Sequence, residues 1–192
     1  YYINVMKKVQ YITRKGSFDS GHRVMNEKMK CFNMHGHTYL YELTFSFNEM
    51  ESIGYAIDFK EIKRVGCQWI DDILDHGMLL NPQDTALIET TKSYGSKMWL
   101  MSLNGKEAYC NPSVENIARE VFLAMEILFD AMYAHTPTGL KIHRVTIYET
   151  PNCWTEVKAA SITDKERENF RAARFNEISQ YAQEKGMLEY DD

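Results

Sequence analysis

The stretch that decides the fold is residues 31–47, CFNMHGHTYLYELTFSF. From His37 onward, aromatic and aliphatic side chains occupy every second position as far as Phe47. A period of two is typical of a β-strand with one buried face. The same period aims the imidazoles of His35 and His37 at one point. The segment therefore predicts a strand that begins with two convergent histidines.

Working outward, the remaining sequence divides into further strands and helices. The predicted strands cover 6–13, 37–47, 140–150 and 157–160, and the predicted helices cover 58–74, 112–133 and 163–186. Asp58 with Glu61 and Thr163 with Glu166 have the spacing of capping boxes. Asn111 followed by a proline is typical of a helix start. The stretch 77–110 shows no clear period, so 81–110 is predicted to be a loop-rich insertion.

The order of these elements indicates the fold class. Adjacent strands joined without a crossover helix are expected to pair antiparallel. Two helices packed on one face of such a sheet make an α+β domain. The length of 192 residues suits a single domain, 1–192, with an insertion and a C-terminal helix added to its core.

Composition narrows the classes of function. Lys plus Arg number 22 and Asp plus Glu number 27, giving a net charge of −5, which disfavours a dedicated nucleic-acid binder. No apolar run approaches the roughly 18 residues of a membrane helix, and no secretory signal begins the sequence. The four cysteines form no CxxC pair. A cytoplasmic protein with reduced thiols is therefore expected.

Three histidines are candidates for a metal site. His35 and His37 lie two apart on the predicted strand, and His22 lies upstream. Three imidazoles with an open fourth position are typical of a catalytic zinc ion. An isolated HxH is more often a surface turn, but the third histidine and the nearby Cys31 favour zinc. In a second interpretation Cys31 is itself a ligand and closes the site.

Cys31 and the adjacent Asp75 and His76 are candidates for catalysis. A cation beside a thiol favours the reactive thiolate, and both a metal site and flanking lysines would supply one near Cys31. A lone cysteine can also be a buried, inert residue. A histidine oriented by a carboxylate is a general acid–base device, although His76 could instead simply be favoured by the dipole of a helix end.

Glu149 is a candidate for ligand binding. It follows two apolar residues on the inward side of its predicted strand. Burying a carboxylate costs several kcal/mol unless it is paired. The partner would be either a structural arginine or a ligand edge with two parallel N–H donors, and position alone supports both equally.

Six short motifs occur in order along the chain. They are FDSGH (18–22), CFNMHGH (31–37), GYAIDF (54–59), LDHGMLLN (74–81), PSVEN (112–116) and YETP (148–151). In this order they resemble the 6-pyruvoyl tetrahydropterin synthase superfamily, over roughly residues 6 to 160. The resemblance implies the tunnelling fold (T-fold), a small antiparallel sheet backed by two helices.

The three residues between Cys31 and His35 resemble the 6-carboxytetrahydropterin synthase branch, which serves queuosine and 7-deazaguanine biosynthesis. This resemblance implies a zinc-dependent lyase that converts 7,8-dihydroneopterin triphosphate to 6-carboxytetrahydropterin, acetaldehyde and triphosphate. It implies that Cys31 is the general base and that Asp75 and His76 relay protons. Arg23, with two lysines of the same segment, would attract the triphosphate.

The resemblance also implies substrate contacts and an assembly. Glu149, helped by Glu115 and Ser113, would clamp the pterin edge. Two stacked trimers would form a homohexamer with sites between subunits, so that Asp75 and His76 can act on a neighbouring subunit. Two alternatives stay open. One is a 6-pyruvoyltetrahydropterin synthase, which eliminates triphosphate, and the other is a non-catalytic zinc- or pterin-binding protein of the same fold.

Overall fold

The computed structural model describes residues 9–26 and 28–188. Within them the strands are β1 (Gln10–His22), β2 (His35–Phe47), β3 (Gly77–Leu80), β4 (Met98–Leu100), β5 (Lys141–Thr150) and β6 (Cys153–Lys158). These strands form one sheet in the order β4-β3-β1-β2-β5-β6. The two longest strands, β1 and β2, therefore lie at its centre.

The helices are α1 (Phe59–Ile62), α2 (Gln68–Ile73), α3 (Thr85–Ser93), α4 (Val114–Tyr133) and α5 (Asp164–Glu184). A π-helical turn at Lys63–Cys67 joins α1 to α2, so together they form the helix predicted over 58–74. α4 and α5 correspond to the other two predicted helices. No helix within the described ranges is long and apolar enough to cross a membrane.

The strands β1, β2, β5 and β6 form what we call the antiparallel half of the sheet. Every second side chain of β2 from Tyr39 to Phe47 is at most 5% exposed. The period of two places the large apolar side chains on the face that meets the helices, while Thr44 and Ser46 on the other face are also buried, at 3% and 5%. The antiparallel half confirms the predicted α+β class.

The predicted first strand, 6–13, differs from β1. Pairing with β2 runs along the whole of β1, from Gln10 to His22, which lies opposite His35. The partner strand, rather than the local sequence pattern, therefore sets where β1 ends. Residues 6–8 lie outside the described part of the chain.

Residues 75–111, which contain β3, α3 and β4, form what we call the parallel edge. β3 pairs parallel with β1, and β4 pairs parallel with β3. This edge differs from the predicted all-antiparallel sheet and from the predicted loop-rich insertion. Leu79 and Leu80 are adjacent in β3 and each is 1% exposed. Because both faces of the strand are buried, its sequence lacks the alternation that would reveal it.

One face of the antiparallel half is covered by helices. α4 packs against β5 and β6, and the rings of Phe45 and Phe129 lie 4.5 Å apart. Gly66, in the π-helical turn, allows a close approach to the same core. A Cβ there would lie 3.0 Å from the sulfur of Met125 and 3.2 Å from a methyl carbon of Leu43. The predicted packing of two helices on one face is confirmed.

The helix starts agree only in part with the sequence. At α5, Thr163 and Glu166 form the predicted capping box, with hydrogen bonds of 2.9 and 3.1 Å. At α4, Ser113 caps the helix in place of Asn111, and its hydroxyl accepts the Asn116 N–H at 3.4 Å. Asn111 cannot cap because its amide binds backbone groups just after β1.

Two smaller differences concern α1 and β6. Asp58 caps α1 as predicted, but Glu61 pairs with Arg64 at 2.7 Å instead of completing a capping box. β6 begins at Cys153, before the predicted 157–160, because a short turn after β5 lets pairing start at once.

Candidate active site

Three histidines converge at one end of the antiparallel half, on the face that the helices cover. The β1–β2 register places His22 opposite His35 and Ser20 opposite His37. Paired residues of antiparallel strands share a face, so the three imidazoles point the same way. Their ligand nitrogens all lie within 4.8 Å of one another. The Nε2 atoms of His22 and His35 are 3.0 Å apart.

Backbone carbonyls orient two of the three imidazoles. His22 Nδ1 lies 2.7 Å from the carbonyl oxygen of Pro112, and His35 Nδ1 lies 2.7 Å from that of Asn33. A carbonyl oxygen only accepts, so each Nδ1 carries the proton and each Nε2 keeps a lone pair. Donation from the second ring nitrogen to a carbonyl is typical of histidines that bind a metal.

The surroundings favour neutral imidazoles. Burial lowers the pKa of His22 from 6.5 to about 4; the hydrogen bond to Pro112 opposes this effect, and the charges of His35 and His37 add to it. Burial also lowers the pKa of His37, against the opposing charge of Glu149. The neutral imidazole is the form that coordinates metal ions.

The donor set fits a divalent metal ion with an open fourth position. His37 Nε2 is buried and has no hydrogen-bond partner within the described part of the chain, an arrangement that costs about 1–3 kcal/mol. A tetrahedral ion 2.0–2.1 Å from each nitrogen separates two ligand nitrogens by about 3.3 Å. The separation of 3.0 Å between His22 and His35 is close to that value.

Glu149 lies beside the histidines rather than beside an arginine. Its Oε1 is 3.5 Å from His37 Nε2 and 3.7 Å from His22 Nε2, and its side chain is 26% exposed. β5 positions it, because Val145 and Ile147 bury the same side of the strand. Glu149 therefore places a carboxylate at the rim of the histidine cluster, within reach of a ligand.

Cys31 lies in a 3₁₀ turn, Lys30–Phe32, between β1 and β2, and is exposed. Its carbonyl oxygen accepts the Val24 N–H at 2.8 Å, so the turn packs against the end of β1. Burial, followed by the charges of Glu149 and Cys31, raises the pKa of Tyr39. The Tyr39 hydroxyl also lies 3.4 Å from His22 Nδ1. The Cys31 turn therefore lies at the end of the sheet where β1 ends at His22 and β2 begins at His35.

Asp75 and His76 form the predicted pair, with Asp75 Oδ2 2.6 Å from His76 Nδ1. His76, rather than Gly77, takes the left-handed conformation that lets the chain turn, with φ of 58°. Burial acts to raise the pKa of Asp75. Hydrogen bonds from the Asp19 N–H and His76, with the charge of Lys97, nevertheless bring that pKa below its ordinary value.

The pair borders an open cleft of about 440 Å³ whose lining includes Asp19, Gly36, His37, Thr38 and His76. Asp19 lies opposite Thr38 in the β1–β2 register. Because side chains alternate along a strand, both point to the face opposite to that of the three histidines. The side chain of His76 is 77% exposed. The Asp75–His76 pair is thus anchored on the face of the sheet opposite to the three imidazoles.

Ser113 and Glu115 lie at the N-terminal turn of α4. Pro112, whose carbonyl oxygen binds His22, directly precedes Ser113, which places this turn beside the histidine cluster. The Ser113 hydroxyl is used as the helix cap, and Glu115 is exposed. Both residues are therefore near the site. Within the described part of the chain, no hydrogen bond joins either of them to the three histidines.

Arg23 differs from its prediction as a triphosphate contact. Its Nε and Nη2 donate hydrogen bonds of 2.5 and 2.6 Å to the carboxylate of Asp84, so the guanidinium is engaged within the protein. The carbonyls of Asn33 and Pro112 gave no sequence signal, because any residue supplies a carbonyl. The sequence did contain a signal for Tyr39 as a neighbour of the histidine cluster, since it follows the histidines on the same face of β2.

The fold and the site together define an α+β protein with three convergent histidines that could hold a metal ion. The family model described as 6-pyruvoyl tetrahydropterin synthase matches residues 11–160. A 6-carboxy-5,6,7,8-tetrahydropterin synthase of Rickettsia typhi is 35% identical over 146 residues, covering 76% of this chain and 97% of that protein. A 6-pyruvoyl tetrahydrobiopterin synthase of Dictyostelium discoideum is 29% identical over 106 residues, covering 49% and 78%.

Among solved structures, the 6-pyruvoyl tetrahydropterin synthase of Plasmodium vivax matches with a TM-score of 0.57 and 17% identity, covering 78% of this chain and 97% of that chain. This match confirms the T-fold. The chain belongs to the 6-pyruvoyl tetrahydropterin synthase family, as the six sequence motifs predicted. It is therefore an enzyme of the pterin synthase class, and α5 lies beyond the part that the family model covers.

Proposed function

We propose that the chain is a zinc-dependent 6-carboxy-5,6,7,8-tetrahydropterin synthase. It converts 7,8-dihydroneopterin triphosphate and one water molecule to 6-carboxytetrahydropterin, acetaldehyde and triphosphate. The observation that carries the proposal is the convergence of His22, His35 and His37 at one end of the sheet, with the exposed Cys31 in the turn between β1 and β2. Similarity to the Rickettsia typhi synthase over 97% of its length supports this reaction over the 6-pyruvoyl alternative.

The three histidines would hold the zinc ion through Nε2, with the protonated Nδ1 atoms of His22 and His35 pointing away toward backbone carbonyls. Bound there, zinc would polarise oxygens of the substrate side chain and make the neighbouring C–H protons more acidic. Cys31, as thiolate, takes up such a proton as general base. Its turn is short and tied to β1, so the thiol keeps a fixed distance from the reacting carbon.

The pterin ring would be held at the rim of the histidine cluster. The Glu149 carboxylate accepts two parallel N–H donors from the pyrimidine edge of the pterin, which supplies the ligand partner expected for a half-buried acid. Glu115 and Ser113, in the first turn of α4, border the same region and add polar contacts. These contacts orient the substrate side chain toward the metal and the thiol.

Asp75 and His76 would relay protons on the opposite side of the substrate. Because the pair is anchored on the other face of the sheet from the imidazoles, it would serve the site of an adjacent subunit. This arrangement requires an oligomer, and a homohexamer of two stacked trimers satisfies it. The exposed His76, whose backbone is left-handed and whose imidazole is paired with the Asp75 carboxylate, is then a group presented to a neighbour.

The reaction is tested with zinc-loaded protein and 7,8-dihydroneopterin triphosphate. We expect acetaldehyde and triphosphate to appear in equal amounts, together with 6-carboxytetrahydropterin by mass spectrometry. Triphosphate without acetaldehyde would instead support a 6-pyruvoyl synthase. Binding of a pterin with no product would support a non-catalytic protein.

Cys31→Ala tests the thiol. We expect the variant to keep one zinc ion per chain and to lose at least about 1000-fold in turnover, because the general base is gone while the ligands remain. Cys153→Ala, which removes the other exposed thiol, is the control and should behave as the wild type. Wild-type turnover in the Cys31 variant would remove the thiol from the mechanism, and loss of zinc would make it a ligand.

A further inference from the structure

An ion pair joins the end of β1 to the parallel edge, close to the turn that carries Cys31. Arg23 donates from Nε and Nη2 to both carboxylate oxygens of Asp84, at 2.5 and 2.6 Å. The Asp84 side chain is 2% exposed and that of Arg23 is 23% exposed. A two-pronged arginine–carboxylate contact at this depth fixes orientation as well as distance.

From its position at the start of α3, Asp84 would be expected to use its carboxylate to cap the helix. It is the N-cap residue of α3, yet its side chain makes no capping hydrogen bond. An aspartate at this position usually accepts a backbone N–H of the first helical turn. Here both oxygens accept from Arg23 instead. The geometry of this acid is therefore set by its contact with Arg23 and not by the helix that it begins.

Arg23 in turn contacts the residue next to the thiol. Its guanidinium carbon lies 5.1 Å from the centre of the Phe32 ring, within the range of a cation–π contact. The N–H of Val24 donates to the carbonyl oxygen of Cys31 at 2.8 Å. The residues just after β1 therefore hold the turn at two points. Arg23 contacts the ring of Phe32, and Val24 binds the backbone of Cys31.

A second set of contacts fixes the same segment to the parallel edge. Asn111 accepts the Met25 N–H at 2.9 Å and donates to the Met25 carbonyl oxygen at 3.0 Å. The Tyr109 hydroxyl donates to the same carbonyl oxygen at 2.9 Å. Asn81 holds the Asn111 amide by a further hydrogen bond of 3.0 Å. The segment that follows β1 is thus held against the parallel edge and cannot shift independently of it.

We propose that Asp84 and Arg23 are positioning residues that hold the Cys31 thiol at the metal site through the ring of Phe32. The parallel edge then contributes to the site by fixing the geometry of the thiol as well as by carrying Asp75 and His76. The role of Cys31 as general base rests on the proposed function, but the control of the position of its thiol does not.

Asp84→Asn is the principal test, because it keeps shape and removes the charge that holds Arg23. We expect kcat to fall about 10- to 100-fold with KM within about threefold of the wild type, since a displaced base weakens the reaction more than binding. Zinc content should be unchanged. Alkylation of Cys31 by iodoacetamide should slow at least threefold relative to Cys153, because a thiol moved away from a cationic site reacts more slowly.

Two control comparisons separate positioning from a general loss of stability. Glu126→Gln removes another two-pronged ion pair, with Arg167 at 3.0 and 3.3 Å, away from the turn. It should leave kcat and the Cys31-to-Cys153 alkylation ratio unchanged. Phe32 is 46% exposed, so its variants should fold. Phe32→Leu should reproduce the effects of Asp84→Asn, whereas Phe32→Tyr, which keeps the ring, should restore most of the activity.

The proposal is overturned if the alkylation ratio stays at the wild-type value in both Asp84→Asn and Phe32→Leu. It is also overturned if Glu126→Gln lowers kcat and the ratio to the same extent. If Asp84→Asn does not fold, the two Phe32 variants decide. If the wild type lacks lyase activity, the proposed reaction fails, while the alkylation ratios still show whether the ion pair positions the thiol.

Discussion

The antiparallel half and the parallel edge contribute to the site in different ways. The antiparallel half carries the histidines, whose nitrogens lie within 4.8 Å of one another on one buried face. The parallel edge carries Asp75 and His76 on the opposite face, and it carries Asp84, which fixes Arg23. The first region thus has the groups that could bind a metal, and the second has the groups that we propose act on another site or through another residue.

This difference teaches that metal binding and turnover should be separable by mutation. Changes in the histidine cluster should abolish both, because the metal is needed for chemistry. Changes in the parallel edge should lower turnover and leave the metal in place. A change in the edge that released the metal would contradict this division.

The largest effect is expected from His37→Ala. Its Nε2 is the buried nitrogen without a hydrogen-bond partner in the described ranges, so two ligands would remain after its removal. We expect zinc content to fall from about one to below about 0.1 per chain, and turnover to fall at least about 1000-fold. Zinc is measured by atomic emission on dialysed protein.

His143→Ala is the matched control, because His143 lies on β5 outside the cluster, with its ring 4.5 Å from that of Tyr11. It should keep zinc and turnover. If His37→Ala retained a full equivalent of zinc, the cluster would not be the metal centre and the comparison between the two regions would fail.

A smaller effect, about 100-fold in kcat, is expected from His76→Ala, since general acid–base groups contribute about 10²–10⁴-fold. Zinc content should be unchanged. Refolding this variant together with Cys31→Ala should restore part of the activity, because a mixed oligomer would contain sites with a thiol from one subunit and a histidine from another. Each variant refolded alone is the control, and no recovery in the mixture would place both groups in one subunit.

The smallest effect concerns stability, at the contact of Glu120 on α4 with the parallel edge. Glu120 is 2% exposed and its Oε1 accepts the Ser102 N–H at 3.0 Å. Burial raises the pKa of Glu120 from 4.5 to about 8, although the charge of Arg174 opposes the shift. The folded chain therefore binds more protons than the unfolded chain between pH 4.5 and 8, and the free energy of unfolding should fall as pH rises through that window.

Glu120→Gln removes this titration. We expect the stability of the wild type to decline by on the order of 3 kcal/mol relative to Glu120→Gln between pH 5 and 8, measured by urea unfolding. Glu168→Gln, at a position 71% exposed, should track the wild type at every pH. Parallel curves for wild type and Glu120→Gln would show that Glu120 does not titrate in this window.

Most of the antiparallel half could be predicted from sequence, because the large apolar residues of β2 all fall on the face that meets the helices. The capping box at Thr163 was equally readable, since it depends on residues three apart. The parallel edge could not be read in the same way. Leu79 and Leu80 are both buried, and a short strand buried on both faces looks like any other apolar run.

The candidate site also contains some features that local sequence patterns predict and others that only contacts between distant segments decide. The sequence predicted that His35 and His37 would converge, because alternation in a strand fixes their direction. It did not predict that Arg23 would pair with Asp84, since 61 residues separate them and no local pattern links them. It also placed Asp75 beside His76 without indicating that the pair is anchored on the opposite face of the sheet.

The α+β class, the family and the three candidate metal-binding histidines could be read from the sequence alone, because they follow from local periodicity and from short motifs. Only the tertiary structure decided that Pro112 and Asn33 orient the imidazoles, that the parallel edge holds the turn of Cys31, and that β1 ends at His22. Those features depend on backbone groups and on contacts between distant segments, and such contacts come into existence only when the sheet assembles.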